Sequence, residues 1–192
     1  MKRVVAVVAS PSSDPLALAM LEDVVDLVAA MREVEAALVT PPAADDAMRA
    51  VTWPAMPVVE AAAAASAAEL VDVVATATEA GEVALVSADV PDLPALLLGK
   101  LHSALTGAQV AVCPAEDGRL VALAARVPGP AWLADSGVGL DDEDAVRRLR
   151  AAAPRRTLLV GAGWRRVRNR DDALRLDPGL EGWEATRALL GL

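Results

Sequence analysis

The sequence predicts an α/β sandwich with a mostly parallel sheet, and three observations carry that prediction. Short, continuously apolar runs rich in valine recur along the chain, the pattern of strands buried on both faces. Segments with apolar residues at helical spacing alternate with those runs, the order expected of helices crossing over a sheet. Pro, Gly, Ser and Asp stand between the two kinds of segment, where they close strands and open helices.

Residues 4–8 form the first apolar run. Asp14 or Ser13 can cap the helix that follows, with Pro15 at its first position. Leu16, Met20, Val24, Leu27, Val28 and Met31 then fall on one helical face. Residues 36–40 read as a second strand closed by Pro41-Pro42, and a loop with Asp45 and Asp46 leads to an extended piece around Pro57-Val58-Val59. Residues 61–80, largely alanine, read as a helix ended by Gly81, and residues 83–87 as a third buried strand. Pro91-Asp92-Leu93-Pro94 opens a helix running through Leu96, Leu97, Leu101 and Leu105 to Gly107. Residues 109–113 and 120–126 are two further strands on either side of Pro114-Ala115-Glu116-Asp117-Gly118. Residues 144–152 are helical, 157–160 a strand, and 170–176 and 183–190 short helices. No internal repeat or linker is visible, so residues 1–192 read as a single domain.

Composition narrows the function classes. The 192 residues include 43 alanines and are 55 % hydrophobic, with four Trp and neither Tyr nor Phe. Such a chain can bury a core, which excludes disorder. No apolar run reaches the ~20 residues needed to span a bilayer. Met1-Lys2-Arg3 and the apolar residues 4–9 are too short for a secretory signal and run into Ser10-Pro11-Ser12-Ser13-Asp14, so they read as a strand and the protein is expected in the cytoplasm. One cysteine, Cys113, excludes an internal disulfide, and one histidine, His102, excludes a histidine-based zinc site. The net charge of −9 argues against nucleic acid as a partner. That charge is uneven: residues 1–140 carry 7 basic and 18 acidic side chains, residues 141–192 carry 11 basic and 9 acidic ones. The mean hydropathy of +0.38 leaves room for an apolar homodimer or protein-partner interface.

In an α/β sheet the ligand site lies beyond the carboxyl ends of the strands. Four loops fall there: residues 10–14, 87–94, 113–118 and 161–170. Leu85-Val86-Ser87-Ala88-Asp89-Val90-Pro91-Asp92-Leu93 resembles a motif of GT-A-type transferases, an apolar strand ending in an aspartate followed by a proline and a helix. Cys113-Pro114-Ala115-Glu116-Asp117-Gly118 resembles the Pro-Ala-Glu-Asp-Gly-Gly turn of one branch, the small bacterial glycosyltransferase-like proteins of the arsenosugar-biosynthesis type. Molybdenum-cofactor and 2-phospho-L-lactate guanylyltransferases are related to that branch. Arg166-Val167-Arg168-Asn169-Arg170-Asp171-Asp172 stands where such proteins carry a late acidic segment.

The resemblance implies a three-layer GT-A fold (a Rossmann-like nucleotide-diphospho-sugar transferase sandwich) and a nucleotide or nucleotide-sugar ligand. It implies a Mg²⁺ or Mn²⁺ ion at Asp89, offsetting charge on the phosphates. By the same resemblance Asp89 and Asp117 are candidate catalytic residues, and Ser87, Pro91, Glu116, Arg166 and Arg168 candidate substrate-binding ones. Three departures accompany the match. The first loop, residues 10–15, has no glycine and no cation, and its two prolines remove amide donors. Arg168 stands in place of the late metal aspartate, and Arg119 in place of the second glycine of the turn.

Each candidate has a plainer reading. Asp89 can cap a helix, Glu116 and Asp117 can simply build a hairpin turn, and the arginines can pair with the acids of residues 141–144. Alternatively Arg165, Arg166, Arg168 and Arg170 can grip phosphates directly, without a metal. Two functions follow: a nucleotide-dependent glycosyl- or nucleotidyltransferase-like protein with a degenerate phosphate loop, or a catalytically inactive GT-A-fold protein serving as a binding or regulatory partner. His102 reads as a partly buried surface residue of the helix after Pro94, Cys113 as the end of a buried strand, Met20 and Met31 as core, and the tryptophans as packing residues.

Overall fold

In the computed structural model, which describes residues 1–12, 14–42, 44 and 46–192, the apolar runs become strands. Ser13, the alternative helix cap, and Asp45 lie outside the described residues. The strands are β1 (Arg3–Val8), β2 (Glu35–Thr40), β3 (Val58–Glu60), β4 (Glu82–Ser87), β5 (Val110–Pro114), β6 (Leu120–Arg126) and β7 (Leu158–Val160). They form one sheet in the order β3-β2-β1-β4-β6-β5-β7. All the pairings are parallel except those of β6, which runs antiparallel to both β4 and β5. A sheet covered on both faces demands apolar residues at every position, and β4 is buried along its whole length.

The helices are α1 (Pro15–Ala29), α2 (Asp46–Ala50), α3 (Ala67–Thr78), α4 (Ala95–Ala104), α5 (Ala131–Ser136), α6 (Ala145–Ala152), α7 (Arg170–Ala173) and α8 (Glu184–Leu190). One core cluster joins α1 and α4 to the sheet through Leu21, Val24, Val28, Leu98 and Leu101. The opposite face packs α3, α5 and α6 through Leu70, Val71, Val74, Leu133 and Leu149. Three layers result. Among the described residues no helix is long and apolar enough to cross a membrane.

Local chemistry explains where the elements differ from expectation. The alanine run does not start a helix at residue 61; α3 begins only at Ala67, because Ser66 and Glu69 form a reciprocal capping box there. The helix after Pro94 starts at Ala95, so Pro91, Asp92 and Leu93 form a buried turn before it rather than its first turn. Helices α2 and α5 were not expected from periodicity, each being too short to show one. At α1 the expected cap is present: Asp14 accepts from the Leu16 amide at 2.9 Å, with Pro15 leading the helix.

The chain leaves β1 for β2 and β3 on one side and returns to β4 on the other. Val8 aligns with Val39 of β2 and Ser87 of β4, so three strand ends stop at one level. This reversal of strand order opens a crevice between the loops that leave β1 and β4.

Candidate functional site

A cavity of about 970 Å³ opens at that reversal. One wall is the β1–α1 loop, with Ser10, Pro11, Ser12 and Asp14; the other comes from Ser87 and Asp89 after β4 and from residues 166–170. The first wall carries no cation. Its one acid, Asp14, takes up an amide at the start of α1, and its prolines supply no N–H. Positive charge comes from the opposite wall, where Arg119, Arg166, Arg168 and Arg170 line the cavity.

Backbone bonds fix that wall. The Trp164 amide donates to the Pro114 carbonyl at 3.0 Å and the Val167 amide to the Asp89 carbonyl at 2.8 Å, so the segment is laced to the exits of β5 and β4. Neighbouring side chains along it serve different ends. Trp164 donates its indole N–H to Asp92 Oδ1 at 3.0 Å, and Arg165 lies against the Trp164 ring and bonds Asp92 Oδ2 through Nε at 2.9 Å. Asp92 is thus a buried clamp under the loop, and neither Trp164 nor Arg165 lines the cavity.

Arg166 is the centre of the site. Its side chain is only 7 % exposed, yet each guanidinium nitrogen finds acceptors. Nε donates to Asp89, at 2.8 Å from Oδ1 and 3.0 Å from Oδ2. Nη1 lies 3.4 Å from the Leu120 carbonyl and 3.3 Å from that of Leu140. Nη2 donates to Ser87 Oγ at 2.8 Å and lies 2.7 Å from Asp141 Oδ1. All three guanidinium nitrogens thus donate to at least one acceptor, and Nη2 also forms an ion pair with Asp141. Burial alone would pull the Arg166 pKa down; the bonds and charges of Asp89 and Asp141 outweigh that and push it up, so it stays charged.

The structure thus brings together Ser87, Asp89, Arg166 and Arg168. Arg168 lies with its Nε 3.4 Å from Asp172. Glu116, Asp117 and Pro91 are elsewhere. Glu116 and Asp117 sit exposed at the tip of the β5–β6 hairpin, where Asp117 Oδ1 accepts from the Arg119 amide at 3.2 Å and Gly118 takes a φ of +88°. Pro91 is buried behind Asp89 and does not line the cavity. Asp89 caps no helix, since α4 starts at Ala95 after Pro94. His102 packs beside Glu82 at the far end of β4, and Cys113 bonds the Ala162 carbonyl at 3.1 Å, its buried thiol pushed up to about 11.

One residue of the site was seen in the sequence only as part of an acidic run. The other acids of that run have cations of their own: Asp142 pairs with Arg148, Glu143 with Arg119 and Asp144 with Arg147. Asp141 alone reaches Arg166 and the cavity. The partner present at Asp89 is a guanidinium. Both Asp89 oxygens are engaged by Arg166, and among the described residues no group of three or more His, Cys, Asp or Glu could hold a metal.

Comparison with known proteins bears on fold and family. Residues 24–138 match the family described as "Uncharacterized protein conserved in bacteria (DUF2064)". No curated protein matches the chain in sequence. Among solved structures, the chain is similar to a Desulfovibrio desulfuricans G20 protein named as a candidate nucleotide-diphospho-sugar transferase, at 17 % identity and a TM-score of 0.70, covering 98 % of this chain and 95 % of that one. Rv0371c of Mycobacterium tuberculosis H37Rv, solved in complex with manganese, is 18 % identical with a TM-score of 0.63, over 93 % of this chain and 98 % of that one. CMP:2-keto-3-deoxy-manno-octonic acid synthetase, solved with CTP, is 13 % identical with a TM-score of 0.59, over 85 % and 91 %. These likenesses establish the GT-A-like, Rossmann-like fold.

Proposed function

The chain belongs to the DUF2064 family, and from that premise we propose that its cavity binds a nucleotide or nucleotide sugar in a glycosyl- or nucleotidyltransferase-like role. The observation that supports this most is the cavity's place: it sits at the reversal of strand order between β1 and β4, with arginines on one wall only. Transfer from such a donor builds negative charge on a departing nucleotide or pyrophosphate. Preorganised cations at that point lower the barrier, and guanidinium groups suit phosphate oxygens. Arg166, held by Asp89 and Ser87, supplies the fixed charge; Arg119, Arg168 and Arg170 add to the field around it. Phosphates would lie toward this wall, because the β1–α1 loop offers them Asp14 and prolines. That same loop favours the second reading, a GT-A-fold protein that binds a ligand or partner without catalysis.

Melting temperature in a panel of nucleoside triphosphates and nucleotide sugars, with and without Mg²⁺ or Mn²⁺, tests the reading on wild type and Asp89→Ala. A ligand held at a hundred times its Kd is expected to raise the melting temperature by on the order of 5 °C, and the shift should shrink in Asp89→Ala, which frees Arg166 from its place. Release of pyrophosphate or nucleoside diphosphate from the responding ligand would separate catalysis from binding. A flat panel overturns the nucleotide reading.

A further inference from the structure

We propose that Asp141 is a built-in competitor for the anion this cavity receives: its carboxylate pairs with the Arg166 Nη2 that a ligand phosphate takes, and binding exchanges one anion for the other. The inference rests on the reading that the cavity takes a phosphorylated ligand.

The acceptors around Arg166 are not equivalent. Ser87 is buried, the Leu120 and Leu140 carbonyls belong to the main chain, and Asp89 is clamped through both oxygens with its side chain 20 % exposed. Asp141 differs from all of these. Its side chain is 74 % exposed where it lines the cavity, and its Oδ1 lies 2.7 Å from Arg166 Nη2 as an ion pair. An ion pair with one member in water is weak, so this is the contact that yields most easily. A phosphate group presents several charged oxygens in a geometry that a guanidinium matches well. The exchange also needs little motion. The Leu140 carbonyl stays bonded to Arg166 Nη1, so the backbone beside Asp141 is anchored while its side chain is free to turn outward.

Charge points the same way. One guanidinium here faces two carboxylates, Asp89 and Asp141, leaving the centre with an excess negative charge until Asp141 turns away. Were the pair of acids instead a half-built cation site, Asp141 would help binding and the ligand would need a metal. The two arrangements give Asp141 opposite signs.

Isothermal titration of inorganic pyrophosphate into the full chain, in EDTA, separates them for wild type, Asp141→Asn and Asp144→Asn. Asp144 is a control: it removes the same charge three residues away, where it pairs with Arg147. Asp141→Asn is expected to tighten pyrophosphate by about five- to tenfold, and Asp144→Asn by less than about twofold, as for exposed ion pairs. Equal or weaker binding by Asp141→Asn, or binding that appears only when Mn²⁺ replaces EDTA, overturns the proposal. The failures are distinguishable. A nucleotide response without any gain in Asp141→Asn removes this inference and leaves the nucleotide reading. A gain in pyrophosphate binding with a flat nucleotide panel keeps the inference and removes that reading. Silence in both removes both.

Discussion

At its first residue, β4 sets Glu82 against Arg3 at 2.9 Å and beside His102 at 3.5 Å; two residues past its last, Asp89 meets Arg166 at 2.8 Å. Both ends of one strand thus carry a carboxylate against an arginine, but the burial is inverted. At the first end the acid is sealed in and the cation reaches water: the Glu82 side chain is 5 % exposed and that of Arg3 38 %. At the second the cation is sealed in and the acids reach water. The member that faces water is the one that can be exchanged, so the Asp89 end can trade an anion. It also adjoins the cavity, which none of Arg3, Glu82 and His102 lines. An ion pair alone therefore says little about function, whereas a buried cation with a replaceable anion beside a crevice says a good deal.

The inversion predicts unequal costs when the buried member is neutralised. Arg166→Met leaves Ser87, Asp89 and two main-chain carbonyls without their donor, and is expected to lower unfolding stability by about 3–5 kcal/mol. Glu82→Gln leaves Arg3 in water and is expected to cost only about 1 kcal/mol. Denaturant melts of the two variants measure both. Equal losses would mean that the two ends are alike and that Arg166 owes nothing special to its burial among several acceptors.

The fold was legible because its signals are local. A run such as residues 83–87 admits little but a buried strand, and Asp14-Pro15 marks a helix start within two residues. Local signals also account for the errors. The run of alanines before Ser66 has helix propensity, but propensity is weaker than a capping box, so α3 starts later than composition suggests. The site was legible by residue type and not by partner. Ser87, Asp89, Arg166 and Arg168 were singled out and share the cavity wall, yet Asp89 and Arg166 stand 77 positions apart and nothing in their spacing pairs them. Asp141 was lost among Asp142, Glu143 and Asp144 because only the folded loop decides which of four acids turns inward. Arg165 and Arg166, adjacent and chemically identical, part company for the same reason: one bonds the buried Asp92 and the other Asp89 and Ser87.

A smaller effect sharpens the comparison through pH. Burial, with Arg3 adding to it, lowers the His102 pKa against the opposing pull of Glu82, so the folded protein keeps this ring neutral where the unfolded chain would already protonate it. The unfolded state then binds more protons as the pH falls below about 6.5, and stability should decline through that range. Glu82→Gln removes the pull upward and should carry the decline to lower pH; Arg3→Met removes a push downward and should shorten it. Asp23 works in the reverse direction. It is buried beneath α8, accepting from the Ala185 and Thr186 amides at 2.8 and 2.9 Å, and burial, with Glu184 nearby, raises it to about 6 from 3.8. Because the folded state binds that proton more tightly, stability rises as the pH falls from about 6 toward 4. The two slopes oppose each other between about pH 4 and 6, and wild type should look flatter there than either group alone. As the pH is lowered from 8 to 4, melting temperatures are expected to fall more steeply in Asp23→Asn than in wild type and to lose the His102 decline in His102→Gln. Unchanged slopes in both variants would mean that these buried groups titrate alike in the folded and unfolded chain, and that the closed end of β4 is electrostatically silent as well as sealed.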